Sequence, residues 1–432
     1  MQPFMNRICQ TKKCFLILLC FLPVFVKAQP AATLSLEQAY RLARQNYPLI
    51  KQKELIERSS FLTVENIKTA LLPQFNIAAQ ATYQSDVTSI NLKIPNVTID
   101  PLSKDQYKLW AEVNQLLYDG GVTKTQRQLQ ELNAVIDDQK LEVELYKLYD
   151  RINQLYLGIL LLDAQLQQTI LIKNDITTGL KTVTAQVENG TAFRSAKLVL
   201  EAQLLQNDQR ILEIKASRKG LLDVLNLFMN QTLSEDTHLE KPSIPDTRID
   251  ENIVRPELTL YHYQDSLWKM QNKVISSKNN PKASLFAQGG YGKPGLNQLS
   301  NEFNLYALGG IKLNWSLGGL YTSKRERQII RVNENINDVQ KNTFLFNINT
   351  QLSQQQSEII KLKKIMRVDD EIIDLRSKVK EASLAQLQNG VINSNDYLRD
   401  VNLEDQSRLA RINHELQLLQ AKINYLNIKG NQ

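Results

Sequence analysis

Residues 109–136 read LWAEVNQLLYDGGVTKTQRQLQELNAVI, and the period of the apolar residues changes inside them. Before Asp119 the pattern alternates: Leu109, Ala111, Val113 and Leu117 share one face, and Lys108, Glu112 and Asn114 lie on the other. A two-residue period is that of a strand. After Gly120-Gly121 the apolar residues recur at threes and fours, through Leu129, Leu132, Ile136, Leu145, Leu148, Ile152, Leu155, Ile159, Leu166 and Ile170. No proline interrupts this pattern before Asn189-Gly190, so a helix of roughly 100 Å is predicted at about 1.5 Å per residue. Its apolar stripe is narrow and its other face is rich in Gln, Asn, Asp and Lys, which suits coiled-coil packing. Gly190 supplies the left-handed residue that ends such a helix, and a second helix is expected to return from about Arg194 to Met229.

The same unit occurs twice. Upstream, Pro48 and Pro73 bound a predicted helix, as Pro256 and Pro281 do in the second half. Phe75, Ile77, Ala79, Ala81 and Tyr83 then alternate with polar or small residues. In the second half Ala283, Leu285, Ala287, Gly289 and Tyr291 do so, and after them Leu305, Ala307, Gly309, Ile311, Leu313 and Trp315. Trp315-Ser316-Leu317-Gly318-Gly319 stands for Leu117-Tyr118-Asp119-Gly120-Gly121, and Gln386-Leu387-Gln388-Asn389-Gly390 for Gln186-Val187-Glu188-Asn189-Gly190. The order is kept throughout, so an internal duplication is predicted. The first repeat covers residues 29–230, with strands at about 74–83 and 107–118 and a hairpin turning at 189–190. A polar linker covers 231–255. The second repeat covers 256–428, with strands at about 282–291 and 304–317 and a hairpin turning at 389–390. For any one strand alone, an ordinary antiparallel sheet with one wet face is the better reading of the alternation.

The first 28 residues are read separately. Arg7, Lys12 and Lys13 precede an apolar run from Cys14 to Val26, and Val26-Lys27-Ala28 closes it with small residues where a signal peptidase reads them. This is the pattern of a cleaved secretory signal. Leu19 before Cys20 argues against a lipoprotein. Removing residues 1–28 takes away Cys9, Cys14 and Cys20, all the cysteines of the 432-residue chain, and four basic residues. The net charge falls from +7 to +3, and with it the compositional case for nucleic-acid binding. No later stretch has about 20 consecutive apolar residues, so no membrane-spanning helix is expected. A β-barrel remains open to an exported chain of this kind.

Taken in order, these residues resemble the TolC family of outer-membrane factors. The resemblance rests on Leu34-Ser35-Leu36-Glu37-Gln38-Ala39 followed by Asn46-Tyr47-Pro48, on Leu72-Pro73-Gln74-Phe75, on Leu117-Tyr118-Asp119-Gly120-Gly121 and on the two Asn-Gly turns. It extends over about Leu34 to Ile428. It implies an α+β membrane protein: a homotrimer in which four strands per chain build a 12-stranded transmembrane β-barrel, continued by a coiled-coil α-helical barrel. The implied function is an outer-membrane exit duct of a tripartite efflux or type I secretion system, reaching into the periplasm. Its implied partners are a periplasmic adaptor (membrane fusion) protein and an inner-membrane pump. The tips Asn189, Gly190, Thr191, Asn389, Gly390 and Val391 are expected to meet the adaptor. A gate is implied six and nine residues after the second turn glycine, which here are Asp396 and Arg399, with Asp400 beside them. The second acidic residue of the family pattern is thus replaced by a base. Geometry agrees with a trimer, because four strands cannot enclose a channel and open edges are not tolerated in lipid. Tyr83, Tyr107, Trp110, Tyr118, Tyr291, Tyr306 and Trp315 are expected in the interfacial girdles. The loops Gln84–Gln106 and Gly292–Phe303 are expected to face outside the cell.

No catalytic arrangement is legible. His238, His262 and His414 are scattered, without metal-ligand spacing. Gly289-Gly290-Tyr291-Gly292-Lys293-Pro294-Gly295 has Pro294 where a phosphate loop needs Ser or Thr. No cofactor is expected, and no enzymatic activity. The alternative is a non-channel exported coiled-coil structural or adaptor protein, which has no use for duplicated strand pairs. The mature protein is expected to begin at Gln29 with no acyl chain. An intact mass that includes Cys20 and a lipid would overturn this.

Overall fold

The computed structural model describes residues 33–88, 101–244 and 252–430. The predicted signal lies outside them, as do residues 89–100 of the first loop and 245–251 of the linker.

Along the chain run β1 (Thr33–Leu34), α1 (Leu36–Asn46), a 3-10 turn (Pro48–Lys51), α2 (Gln52–Thr69), β2 (Gln74–Tyr83) and β3 (Asp105–Tyr118). Helices α3 (Val122–Tyr146), α4 (Leu148–Glu188) and α5 (Arg194–Met229) follow, then β4 (His238–Leu239). The second half holds α6 (Pro256–Lys278), β5 (Lys282–Lys293), β6 (Asn304–Asn314), α7 (Leu320–Gln388) and α8 (Ser394–Lys429). Helices α3 and α4 form one rod interrupted only at Lys147, whose N–H bonds Glu144 O at 3.2 Å in a tightened turn. Its counterpart α7 is unbroken over 69 residues. The upstream helix begins at Gln52 rather than Leu49, because Pro48 starts a 3-10 turn first.

Strands β2, β3, β5 and β6 pair in that order, antiparallel throughout. Strand β6 stops at Asn314, which pairs with Lys282, the first residue of β5. Trp315 to Leu317 therefore have no strand to continue against. The register lines up Phe75, Val113, Ala287 and Gly309 on one face, and Asn76, Glu112, Gln288 and Leu308 on the other. Phe75, Ile77, Leu305, Ile311 and Leu313 of the first face are 73–83 % exposed, whereas Glu112, Gln288 and Tyr306 of the second are partly covered. The apolar face is thus the more exposed of the two. Trp110 and Tyr306 depart from the expected girdle. The register places them opposite Gly290 in one row of the second, polar face. Tyr107 and Tyr291 do sit on the apolar face, stacked on Phe303 at 6.3 and 5.4 Å.

The main core lies midway along the rod. Leu148, Ile152, Tyr156 and Ile159 of α4 meet Leu222, Leu225 and Met229 of α5 there, with Ala39 and Ala43 of α1. Each such aliphatic side chain contributes about 1.5–3 kcal/mol by leaving water. The Tyr156 hydroxyl, buried with its ring, lies 2.7 Å from Leu34 O and 2.6 Å from Glu240 O and shares its one proton between these carbonyls, which fastens the parallel β1–β4 pair to the rod. Core-facing residues on three sides raise the local hydropathy of this rod. By length and composition the rod Val122–Glu188 is apolar enough to cross a membrane, where uninterrupted apolar runs alone predict no such helix. Leu157 of α4 packs on Leu416, Leu419 and Ile423 of α8, so the apolar surplus serves helix packing.

The Gly-Gly turns abut the end of α6. Asn280 Nδ2 donates to Gly120 O at 2.9 Å, and a Cβ on Gly120 would lie 2.8 Å from Asn280 Cβ and 2.9 Å from Ser277 O. Gly121 has open space, though φ is +87° there and +76° at Gly120. Left-handed backbone costs an L-residue about 1–2 kcal/mol. Gly121→Ala is expected to lower the unfolding free energy by about that much, and Gly120→Ala by clearly more, in thermal unfolding of the detergent-solubilised protein.

Candidate functional site

Both long hairpins end in the same hydrogen-bonded cap. Gly190 (φ +72°) and Gly390 (φ +69°) are left-handed. Thr191 N–H donates to Gln186 O, and Val391 N–H to Gln386 O, each at 2.8 Å. Gly190 N–H donates to Val187 O and Gly390 N–H to Leu387 O, each at 3.1 Å. These paired bonds are a Schellman motif, which satisfies the last carbonyls and reverses the chain. Gln186 Nε2 also donates to Leu387 O at 2.6 Å, tying the two tips side by side. Asn189, Gly190, Thr191, Asn389, Gly390 and Val391 are all exposed.

Phe193 was not anticipated. It occupies the N-cap of α5, where Ser, Asn or Asp would accept a backbone hydrogen bond. It makes no capping bond and is 86 % exposed. Asn393 at the matching place caps α8, accepting from the N–H groups of Asn395 and Asp396 at 2.9 and 3.1 Å. An aromatic ring that neither caps nor packs is the sequence signal that reasoning from the turn alone passes over.

The start of α8 carries Asp396, Arg399 and Asp400, and the structure divides them. Arg399 is the most exposed of the three; its Nη1 lies 3.8 Å from Asp396 Oδ1 and its Nε 3.4 Å from Asp400 Oδ1. Asp400 is buried and accepts a hydrogen bond from the Ser383 hydroxyl of α7. Only Asp396 and Arg399 are open to surroundings, so Asp400 acts as an anchor rather than as a third free charge.

Further along α8, charges run through the seam between the hairpins. Lys380 of α7 reaches Asp175 of α4 at 2.8 Å and buried Glu404 of α8 at 3.7 Å, and Arg408 also bonds Glu404. Asp405 accepts from Gln168 Nε2 of α4 at 3.0 Å and from Arg210 of α5 at 3.5 Å. Burial pushes the Asp405 carboxyl above its ordinary pKa, against the opposing pull of Gln168 and Arg210. His414 Nδ1 meets Asp369 Oδ2 at 2.7 Å between α8 and α7. Among the described residues no group of three His, Cys, Asp or Glu is placed to hold a metal ion.

Residues 39–228 match the family model described as outer membrane efflux protein. The match covers 190 of the 432 residues, and over that stretch the chain resembles this family. Solved structures with this fold include the outer-membrane channel OprN, with 11% identity, a TM-score of 0.66 and coverage of 92% of this chain and 90% of that one. The outer membrane protein VceC from Vibrio cholerae matches with 14% identity and a TM-score of 0.58, covering 92% of this chain and 96% of that one. The MtrE outer membrane channel of Neisseria gonorrhoeae, in its open state, matches with 12% identity and a TM-score of 0.62, over 92% and 89%. At these identities the likeness is one of fold. Among curated proteins no sequence matches. Proteins of that family are outer membrane efflux proteins, and the exposed apolar face of the sheet is the part of this chain that suits a membrane. The family is one of transport proteins rather than enzymes.

With no cysteine expected after the signal, single-cysteine variants report exposure directly. Phe193→Cys and Val391→Cys should react rapidly with a water-soluble maleimide, and Leu200→Cys, at a fully buried position of α5, should stay protected. Equal labelling of all three would contradict this packing.

Proposed function

We propose that the chain is one protomer of a homotrimeric exit duct. It conducts substrates passively from a periplasmic adaptor and inner-membrane pump to the cell exterior. The repeats 29–230 and 256–428, joined by 231–255, supply its two equivalent parts.

The reading is carried by matching open edges at every level of the molecule. In the sheet, β2 and β6 are the outer strands, each with one unpaired side. In the upper helices the contacts run α2–α3–α6–α7, and in the lower ones α5–α4–α8–α7. One side of the protomer thus presents β2, α2 and α5, and the other presents β6 and α7. Their free faces are apolar: Leu55, Phe61 and Leu62 on α2, and Leu198, Leu205, Leu212 and Leu227 on α5. Val332, Val339, Phe346, Ile360, Val368 and Leu375 answer them on α7. Leu198, Leu205 and Leu212 repeat every seven residues, the spacing of a coiled-coil seam. The strands alternate in direction, so β6 of one copy can pair antiparallel with β2 of the next. Different patches meeting head to tail close into a ring, and three copies give twelve strands, an even number with room for a lumen.

The tips around Gly190 and Gly390, with Phe193 and Val391 exposed, are read as the adaptor-docking end. A helical hairpin end offers a groove and apolar anchors to a partner's helices. Asp396 and Arg399 are read as the charged constriction of the closed tunnel, with Asp400 anchoring their helix to α7. No catalytic step and no cofactor is assigned. The fibre or adaptor alternative gives the sheet's two open edges no partner.

In detergent the purified protein should be a trimer by light scattering. Leu205 and Leu375 each lie fifteen residues from their turn glycine, at equal height on the facing edges. Leu205→Cys combined with Leu375→Cys should therefore give oxidant-dependent links between protomers on a denaturing gel. A monomer, or links only within one chain, would sink the trimer. In a lipid bilayer, Asp396→Ala or Arg399→Ala should raise single-channel conductance; unchanged conductance in both would place the constriction elsewhere.

A further inference from the structure

We propose that Tyr397 is the positioning residue of the closed end: its ring, seated in the notch that Gly179 leaves on α4, holds the gate helix α8 against the first hairpin. This rests on the channel reading above.

Gly179 stands deep inside α4, where glycine is a poor helix former and no left-handed backbone calls for it. What its missing Cβ does provide is room. A Cβ built there would lie 2.5 Å from Tyr397 Cε1 and 3.1 Å from Cδ1. Gly220, also within a helix, has nothing within 4 Å, and Gly158 faces Leu221 of its own hairpin. Among the helix-interior glycines described, Gly179 alone receives a side chain from the other hairpin. The ring is 1% exposed, packed with Ile172, Ile176 and Val183 of α4 and with Val401. Its hydroxyl donates to Asp175 O at 3.0 Å, one helical turn before Gly179.

The position of this socket gives it a consequence. Tyr397 directly follows Asp396 and lies two residues before Arg399. On a helix that spacing sends its side chain away from the exposed pair. Asp400, three residues on, takes the Ser383 hydroxyl of α7. The first turns of α8 are thus fixed on two sides, by a ring in a notch on α4 and a hydrogen bond on α7. With the ring in place Asp396 and Arg399 face outward at one fixed height. With the ring expelled, α8 loses its registration to the first hairpin and the charged pair swings off the pore axis.

The test uses the full-length trimer in planar bilayers with four variants. Gly179→Ala puts a methyl where the ring sits and should raise single-channel conductance several-fold with the trimer intact. Tyr397→Phe keeps the ring and should stay near wild type. Tyr397→Leu should open the channel partly, and the combination of Gly179→Ala with Tyr397→Leu, smaller chain against added methyl, should bring conductance back toward wild type. Wild-type conductance in Gly179→Ala overturns the proposal, and so does loss of the trimer, which would make the socket a matter of assembly. Opening by Tyr397→Phe as large as by Gly179→Ala would assign the effect to the hydroxyl and overturn the role of the ring. If wild type itself forms no pore, the channel reading fails, an outcome distinct from a pore that ignores the socket.

Discussion

Backbone N–H and C=O groups at the edge of a sheet have to find partners, and in hydrocarbon there is no water to provide them. Strands β2 and β6 each leave one such edge unpaired, beside an outer face of Phe75, Ile77, Leu305, Ile311 and Leu313 that only an apolar surrounding suits. Placing that face in a membrane therefore forces the edges to be closed by further copies. The rest of the molecule follows that geometry. Helices α2 and α5 continue the β2 edge and α7 continues the β6 edge, each with its own unpartnered apolar stripe. In the proposed ring the helices would extend what the sheet edges close.

Duplication makes this economical in sequence. One unit of helix, two strands, long rod, capped turn and return helix is used twice, and its Schellman turns superpose in detail down to equal 2.8 Å bonds at Thr191 and Val391. The copies then diverge where they do different work. In the first repeat α4 carries the core-facing residues and Gly179, and the tip ends in an uncapped, exposed Phe193. In the second, Asn393 caps α8 firmly and the charges that follow are sorted between the seam and the surface. The seam holds Glu404 and Asp405 against Lys380, Gln168 and Arg210. Buried charges of this kind add little net stability but specify which helices lie together, because leaving one unpaired is costly.

Much of the fold is legible in the sequence alone. A two-residue period that turns to threes and fours at Gly120-Gly121, and again at Gly318-Gly319, fixed the element order, because strand and helix periods differ and glycine punctuates them. The Asn-Gly turns and return helices were legible for the same local reason. Strand ends were less so: β6 stops where β5 has no further residue to pair with, a fact about the neighbour and not about Trp315. Alternation also placed Trp110 with Lys108 and Glu112, and an aromatic type alone was a poor guide to its face.

The sequence by itself determined the elements, their repetition, the apolar face of each strand and the turns at the hairpin ends, since these depend on residues within a few positions of one another. Tertiary structure decided what lies far apart in the chain: that Asp400 is bonded to Ser383 while Asp396 and Arg399 stay more open, and that the ring of Tyr397 lies where a Cβ on Gly179 would be. Those pairings depend on how two hairpins separated by some two hundred residues are laid against each other. No local period carries that information, because the same helical face can meet a neighbour, a lumen or water.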